Sequence, residues 1–232
     1  WRSQARPGLL VVRQRSLAGH WRAALPAGKI GRPAGQLQNG RGARMIVLLG
    51  DSITQLAWSP YGFGAHLQDV YQRRCDVLNR GYSGYNTRWI LKLLQAGESV
   101  FGRGGAHDEE GCQTTELVVV FFGANDSALL EHNPRQHVPV DEFKANLRGI
   151  VDAIRTRCPR AAILLVAPPP VHEVARLAFQ KERYGPTATG ILERTNCSAG
   201  LYAAAVVETA QALTVPCLNT WQDMQDAAPD GG

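Results

Sequence analysis

The stretch Gly50-Asp51-Ser52-Ile53-Thr54-Gln55 follows a short apolar run, Met45-Ile46-Val47-Leu48-Leu49. A glycine lets the chain turn tightly out of a strand, and a serine at the start of the next helix presents its hydroxyl beside free backbone N–H groups. A hydroxyl so placed can serve as a nucleophile. Two further segments offer hydrogen-bond donors. Asn79-Arg80-Gly81-Tyr82-Ser83-Gly84-Tyr85-Asn86 has glycines past which a bare backbone N–H can approach a ligand, and Phe122-Gly123-Ala124-Asn125-Asp126-Ser127 supplies a side-chain amide. Hydroxyl, backbone donor and amide donor are the parts needed to attack a carbonyl and to hold the resulting oxyanion. Each segment alone is more simply a helix cap. The three in succession are what point to acyl chemistry.

Such loops work only if a scaffold brings them together. From Met45 onward, apolar runs alternate with helical patterns, the sequence form of βαβ units with a parallel sheet. Strands are predicted over 45–49, 76–79, 117–122, 161–166 and 215–218, rich in Val, Ile and Leu without strict alternation, as suits strands covered on both faces. Phe63, Leu67, Val70 and Tyr71 recur at helical spacing, as do Phe143, Leu147, Ile150, Val151 and Ile154. Trp89, Ile90, Leu93 and Leu94 mark a shorter helix, and the Ala-rich stretch 191–213 reads as one long one. The expected fold is a three-layer αβα sandwich around a five-stranded, mainly parallel sheet. In open sheets of this kind ligands bind beyond the carboxyl ends of the strands, where all three loops fall.

The formal net charge of +5 is unevenly spread. Residues 1–44 contain no Asp or Glu and hold nine of the 25 basic residues, so the remaining 16 meet all 20 acids, a balance of −4 from residue 45 onward. The folded part is therefore mildly acidic, which argues against a nucleic-acid partner. Residues 1–44 show no sustained hydrophobic period and read as a disordered basic extension, with the fold proper at 45–232. The same acid-free composition also fits a mitochondrial presequence, although serines are few; without that signal the expected compartment is the cytoplasm. The apolar runs fall far short of the ~20 residues of a membrane span. Five scattered cysteines without C-x-x-C spacing argue for reduced thiols rather than a disulfide framework or a zinc site. Gly102-Arg103-Gly104-Gly105 follows a helix and misses the dinucleotide-binding pattern.

The three loops in order resemble the SGNH hydrolase superfamily, with its Gly-Asp-Ser block, a glycine after the second strand and Gly-x-Asn-Asp. Residues 49–55, 75–89 and 121–127, with Asn133-Pro134 and Gln136-His137, are similar to the isoamyl acetate-hydrolysing esterase group within it. The resemblance covers roughly 45–225. It implies an SGNH/flavodoxin-like fold, Ser52 as nucleophile, and an oxyanion hole from the Ser52 N–H, the Gly81 N–H and the Asn125 side chain. It also implies hydrolysis of small acetate-type esters through an acyl-enzyme, in lipid metabolism, with no cofactor and no metal; a homodimer is compatible with it.

One block of that superfamily has no match. Its D-x-x-H, in which the His activates the Ser and the Asp orients the His, occurs nowhere in these 232 residues, although 220–225 resembles the run before it. Among the histidines present, His66 lies at a core-type helical position, His107 in a Gly-rich acidic loop, and His132 and His137 in a polar loop facing solvent. His172, after the fourth strand, is the one placed near the active edge. As a metal pair with Glu173 it is a weak candidate. The expectation is a serine ester hydrolase by descent whose 232-residue chain has little turnover; the alternative is a catalytically inactive form that binds esters or acyl groups.

Overall fold

The computed structural model describes residues 44–60, 62–98, 100–101 and 112–227. The extension at 1–43, His107 and the Gly102–Gly105 stretch lie outside them. Five strands form one sheet: β1 (Met45–Gly50), β2 (Asp76–Gly81), β3 (Thr115–Phe121), β4 (Ala162–Val166) and β5 (Cys217–Leu218). All pairings are parallel, in the order β2-β1-β3-β4-β5. The chain builds outward from β1 in one direction, then crosses to the other side for β3. That reversal opens a crevice at the carboxyl ends of β1 and β3.

Each strand feeds both faces of the sheet. In β1, Val47 and Leu49 point to one side and Ile46 and Leu48 to the other, and Val118/Val120 and Val119/Phe121 divide β3 in the same way. Continuous apolar runs are what such strands require, because neither face meets water. Seven α-helices lying wholly within the described residues accompany the strands. α1 (Ser52–Gln55) and α2 (Phe63–Tyr71) precede β2; α3 (Thr87–Gln95) follows it; α4 (Val140–Arg157) joins β3 to β4; α5 (Glu173–Tyr184) and α6 (Asn196–Leu213) join β4 to β5; α7 (Thr220–Asp226) comes last.

The larger core lies between the sheet and α3, α4 and α6. Ile90 and Leu94 of α3, Phe143, Leu147, Ile150, Val151 and Ile154 of α4, and Tyr202, Ala203 and Val206 of α6 are buried there. Those of α3 and α4 are the apolar positions whose spacing predicted helices, and burying each large side chain is worth roughly 1.5–3 kcal/mol. Leu67 and Tyr71 of α2 pack on the opposite face. The result is the expected three-layer αβα sandwich.

Four expectations change. The stretch 191–213 is not helical throughout: Thr195 caps α6 by accepting from the Ser198 N–H at 3.0 Å, so Ile191–Arg194 is loop. Helix α5 went unread because it buries little beyond Gln180 and leaves Val174 exposed, so no apolar stripe marks it. A helix, α7, follows β5 where none was expected, its start capped by Asn219. His137 is half-buried rather than facing solvent, its Nδ1 2.6 Å from the Ala128 carbonyl oxygen.

Candidate active site

The loop after β1 turns at once into α1. Asp51 is its N-cap, accepting the Ile53 N–H at 2.8 Å, which puts half-buried Ser52 at the first helical position with its hydroxyl at the positive end of the turn. No hydrogen bond joins that hydroxyl to another described residue. Asp51 is 1% exposed. Burial pushes its carboxyl up to about 7, and Asp126 pushes the same way against the opposing pull of the Ile53 N–H and the Arg194 guanidinium.

Gly81 ends β2 opposite Gly50, so the second loop leaves the sheet beside the first. A Cβ on Gly81 would lie 2.0 Å from the Gln55 nitrogen: the strand end and the helix carrying Ser52 are in backbone contact that only glycine permits. The Gly81 N–H, expected to be free, donates to Asn79 Oδ1 at 2.9 Å, while Asn79 Nδ2 donates to the Gln55 carbonyl at 3.1 Å. The Asn79 amide therefore ties the β2 end to α1.

The third loop begins at Gly123, whose φ of +122° few side chains adopt and whose Cβ would press on Pro168 at 3.0 Å. Beyond it Asn125 is nearly buried, and its Nδ2 donates to the Tyr85 carbonyl at 2.7 Å. Its Oδ1 accepts from Arg194 Nη2 at 2.9 Å. Asp126, fully buried, accepts from the Thr87 N–H at 2.9 Å and the Thr87 hydroxyl at 2.5 Å. Burial raises its carboxyl to about 6 against those two hydrogen bonds. The structure thus brings Ser52, Gly81 and Asn125 to one edge of the sheet, on three loops braced by Asn79, Thr87 and Asp126.

Arg194 is the residue that sequence reasoning missed. It precedes α6 and reaches across the edge to Asn125 and to Gln136 Oε1 at 2.5 Å, with Glu193 Oε1 3.4 Å from its Nη1. Burial, then the like charge of Arg176, pulls its pKa below the ordinary arginine value. The Thr195 cap was the available signal: it would have freed Glu193-Arg194 from the helix and put two charges in a loop at the active edge.

The histidines do not gather here. His172 caps α5, its Nδ1 accepting from the Ala175 N–H at 3.1 Å, and His132 is exposed. His66 lies on α2 with a buried Nε2 that no hydrogen bond reaches. Among the described residues no group of three His, Cys, Asp or Glu could hold a metal ion, and no helix is long and apolar enough to cross a membrane.

A serine at a helix start and an asparagine amide at the carboxyl edge of a 2-1-3-4-5 sheet are an arrangement with known counterparts. Residues 48–231 match the GDSL-like lipase/acylhydrolase family. The chain belongs to this family. Over 183 residues this GDSL chain is 45% identical to a GDSL esterase/lipase of Arabidopsis thaliana, spanning 78% of the chain and 72% of that relative. It is 42% identical over 186 residues to an isoamyl acetate-hydrolyzing esterase 1 homolog of Bos taurus, spanning 80% and 70%. The GDSL fold is shared with a lipase/acylhydrolase from Enterococcus faecalis, at TM-score 0.54 and 23% identity over 79% of each chain. A mutant of an acetyl-xylooligosaccharide esterase from Geobacillus gives TM-score 0.55 at 18% identity over 84% of each chain.

Proposed function

We propose that this GDSL hydrolase cleaves small carboxylic esters, acetate esters among them, with Ser52 as nucleophile. The observation that carries the reading is the placement of the Ser52 hydroxyl at the start of α1, on the same sheet edge as the Asn125 amide. The Ser52 oxygen bonds to the ester carbonyl carbon as the carbonyl oxygen becomes an oxyanion, and its proton passes to water, which returns one to the departing alcohol. The Ser52 N–H and the second Asn125 N–H, the one Tyr85 leaves free, stabilise that oxyanion. The Gly81 N–H joins them only if Asn79 Oδ1 shares or releases it. The tetrahedral intermediate expels the alcohol, which takes a proton, and water then releases the acid and restores Ser52. The acetate preference is supported by the 42% identity to the isoamyl acetate-hydrolyzing esterase homolog.

A second reading concerns turnover. The 232 residues contain no D-x-x-H, and His172, placed nearest the active edge by sequence, has its Nδ1 committed to capping α5. A serine without an adjacent base is a poor nucleophile, and in subtilisin loss of the triad histidine costs about 2 × 10⁶ in kcat. The 232-residue polypeptide is accordingly slow, and binds esters more readily than it turns them over. The test is hydrolysis of p-nitrophenyl acetate, butyrate and octanoate, with fluorophosphonate labelling, by this polypeptide and by one continued through a D-x-x-H block. Activity in the longer form that vanishes in Ser52→Ala supports the hydrolase. Fast hydrolysis by the shorter form, lost in His172→Ala, would make His172 the base and overturn the second reading.

A further inference from the structure

A primary amide can turn end for end with almost no change of shape, so an asparagine serves an oxyanion only if something decides which end faces it. Around Asn125 two groups do so. The Tyr85 carbonyl can only accept, and it takes one hydrogen of Nδ2 at 2.7 Å. The Arg194 guanidinium can only donate, and its Nη2 meets Oδ1 at 2.9 Å. Turning the amide would set its oxygen against a carbonyl and its NH₂ against a cation, losing both bonds.

Arg194 is itself held for this purpose. Its side chain is 15% exposed, and its two Nη groups are spread over Asn125, Gln136 and Glu193. Glu193 is fixed in turn by Gln180 Nε2 at 2.5 Å and by an ion pair with Arg176, both from α5. Gln136 donates to the Gly84 carbonyl at 3.2 Å, two residues from the Asn86 cap of α3. One guanidinium therefore joins the loop after β3 to the segment before α6, and reaches the loop after β2 through Gln136 and Asn125.

We infer that Arg194 is a positioning residue of the oxyanion hole: it fixes the Asn125 amide with nitrogen toward the cleft and clamps the three loops that shape it. The inference rests on the ester-hydrolase reading only for its effect on rate; the orientation of the amide is measurable without turnover.

Two measurements test it. In ¹⁵N spectra of the 232-residue protein, the Asn125 side-chain pair, assigned by its loss in Asn125→Ala, should be widely split with one slowly exchanging proton. In Arg194→Met the splitting should collapse and exchange accelerate, and Arg194→Lys, which keeps a donor, should fall between. In the polypeptide continued through a D-x-x-H block, the rate on p-nitrophenyl acetate above the Ser52→Ala background should drop in Arg194→Met by roughly ten-fold or more, approaching the ~10²–10³ of a lost oxyanion donor, with KM little changed. The same substitution made in Asn125→Ala should cost less than about threefold, because its effect passes through the amide. An Asn125 pair unchanged in a folded Arg194→Met protein, or an equal cost in both backgrounds, overturns the inference. Should Ser52→Ala prove as active as its parent in that longer polypeptide, the hydrolase reading fails, and the spectra still decide whether Arg194 orients Asn125.

Discussion

Gly81 and Gln55 belong to different elements, yet their backbones touch: a Cβ on Gly81 would lie 2.0 Å from the Gln55 nitrogen and 2.4 Å from its Cα. The end of β2 is thereby seated against α1, whose first residue is Ser52. Gly81→Ala should push the two apart. Since the obstacle is backbone rather than a flexible side chain, the cost should reach the upper part of the ~1–3 kcal/mol of overpacking. Thermal unfolding of the variant beside the parent measures it, and an unchanged melting temperature would mean that the strand and helix separate freely.

Asn125→Ala removes the side-chain donor at the active edge. In a polypeptide continued through a D-x-x-H block, kcat on p-nitrophenyl acetate should fall by ~10²–10³ with a much smaller change in KM. An effect below about threefold would exclude Asn125 from oxyanion stabilisation.

Thr87 is the donor that Asp126 depends on, through both its N–H and its hydroxyl, and Asp126 Oδ2 is buried without a hydrogen bond of its own. Thr87→Val keeps the shape and deletes the hydroxyl. The loss should be about 1–3 kcal/mol, a drop of several degrees in melting temperature, while Thr87→Ser should recover most of it. Equal stabilities of the Val and Ser variants would indicate that the backbone N–H alone satisfies the carboxyl.

The pH dependence of stability should carry the signature of two buried acids. Asp51 rises to about 7 and Asp126 to about 6 in the folded chain, from 3.8. Between those values the folded state holds protons that the unfolded state releases, so their contribution is complete below about pH 4 and is lost as pH rises through about 6 and 7. The melting temperature should decline from about pH 4 to about pH 7, and Asp51→Asn, which keeps an acceptor for the Ile53 N–H, should remove the part of the decline between about pH 6 and about pH 7. Parallel curves for the two proteins would rule out a raised Asp51.

Much of this molecule was legible before its coordinates. Val, Ile and Leu runs mark strands that are buried on both faces, and the 3.6-residue recurrence of Phe143, Leu147, Ile150 and Ile154 marks a helix with one apolar side, because burial acts on each segment separately. The loops of Ser52, Gly81 and Asn125 were legible because each lies at a strand end, and the resemblance to the SGNH superfamily singled out the three residues within them. Helix α5 was illegible because polar bonds from Gln180 and Arg176 hold it, and such bonds leave no period in the sequence.

What only the tertiary structure decided lies between segments. The tie of Asn79 to the Gln55 carbonyl, the electrostatic push of Asp126 on Asp51, and the reach of Arg194 to an amide 69 positions earlier in the chain all depend on distances across the sheet edge. Hydrophobic patterning is written locally because each element must bury its own face. Hydrogen bonds and charges in a buried site act over a few ångströms between residues far apart in sequence, so their partners emerge only when the chain has folded.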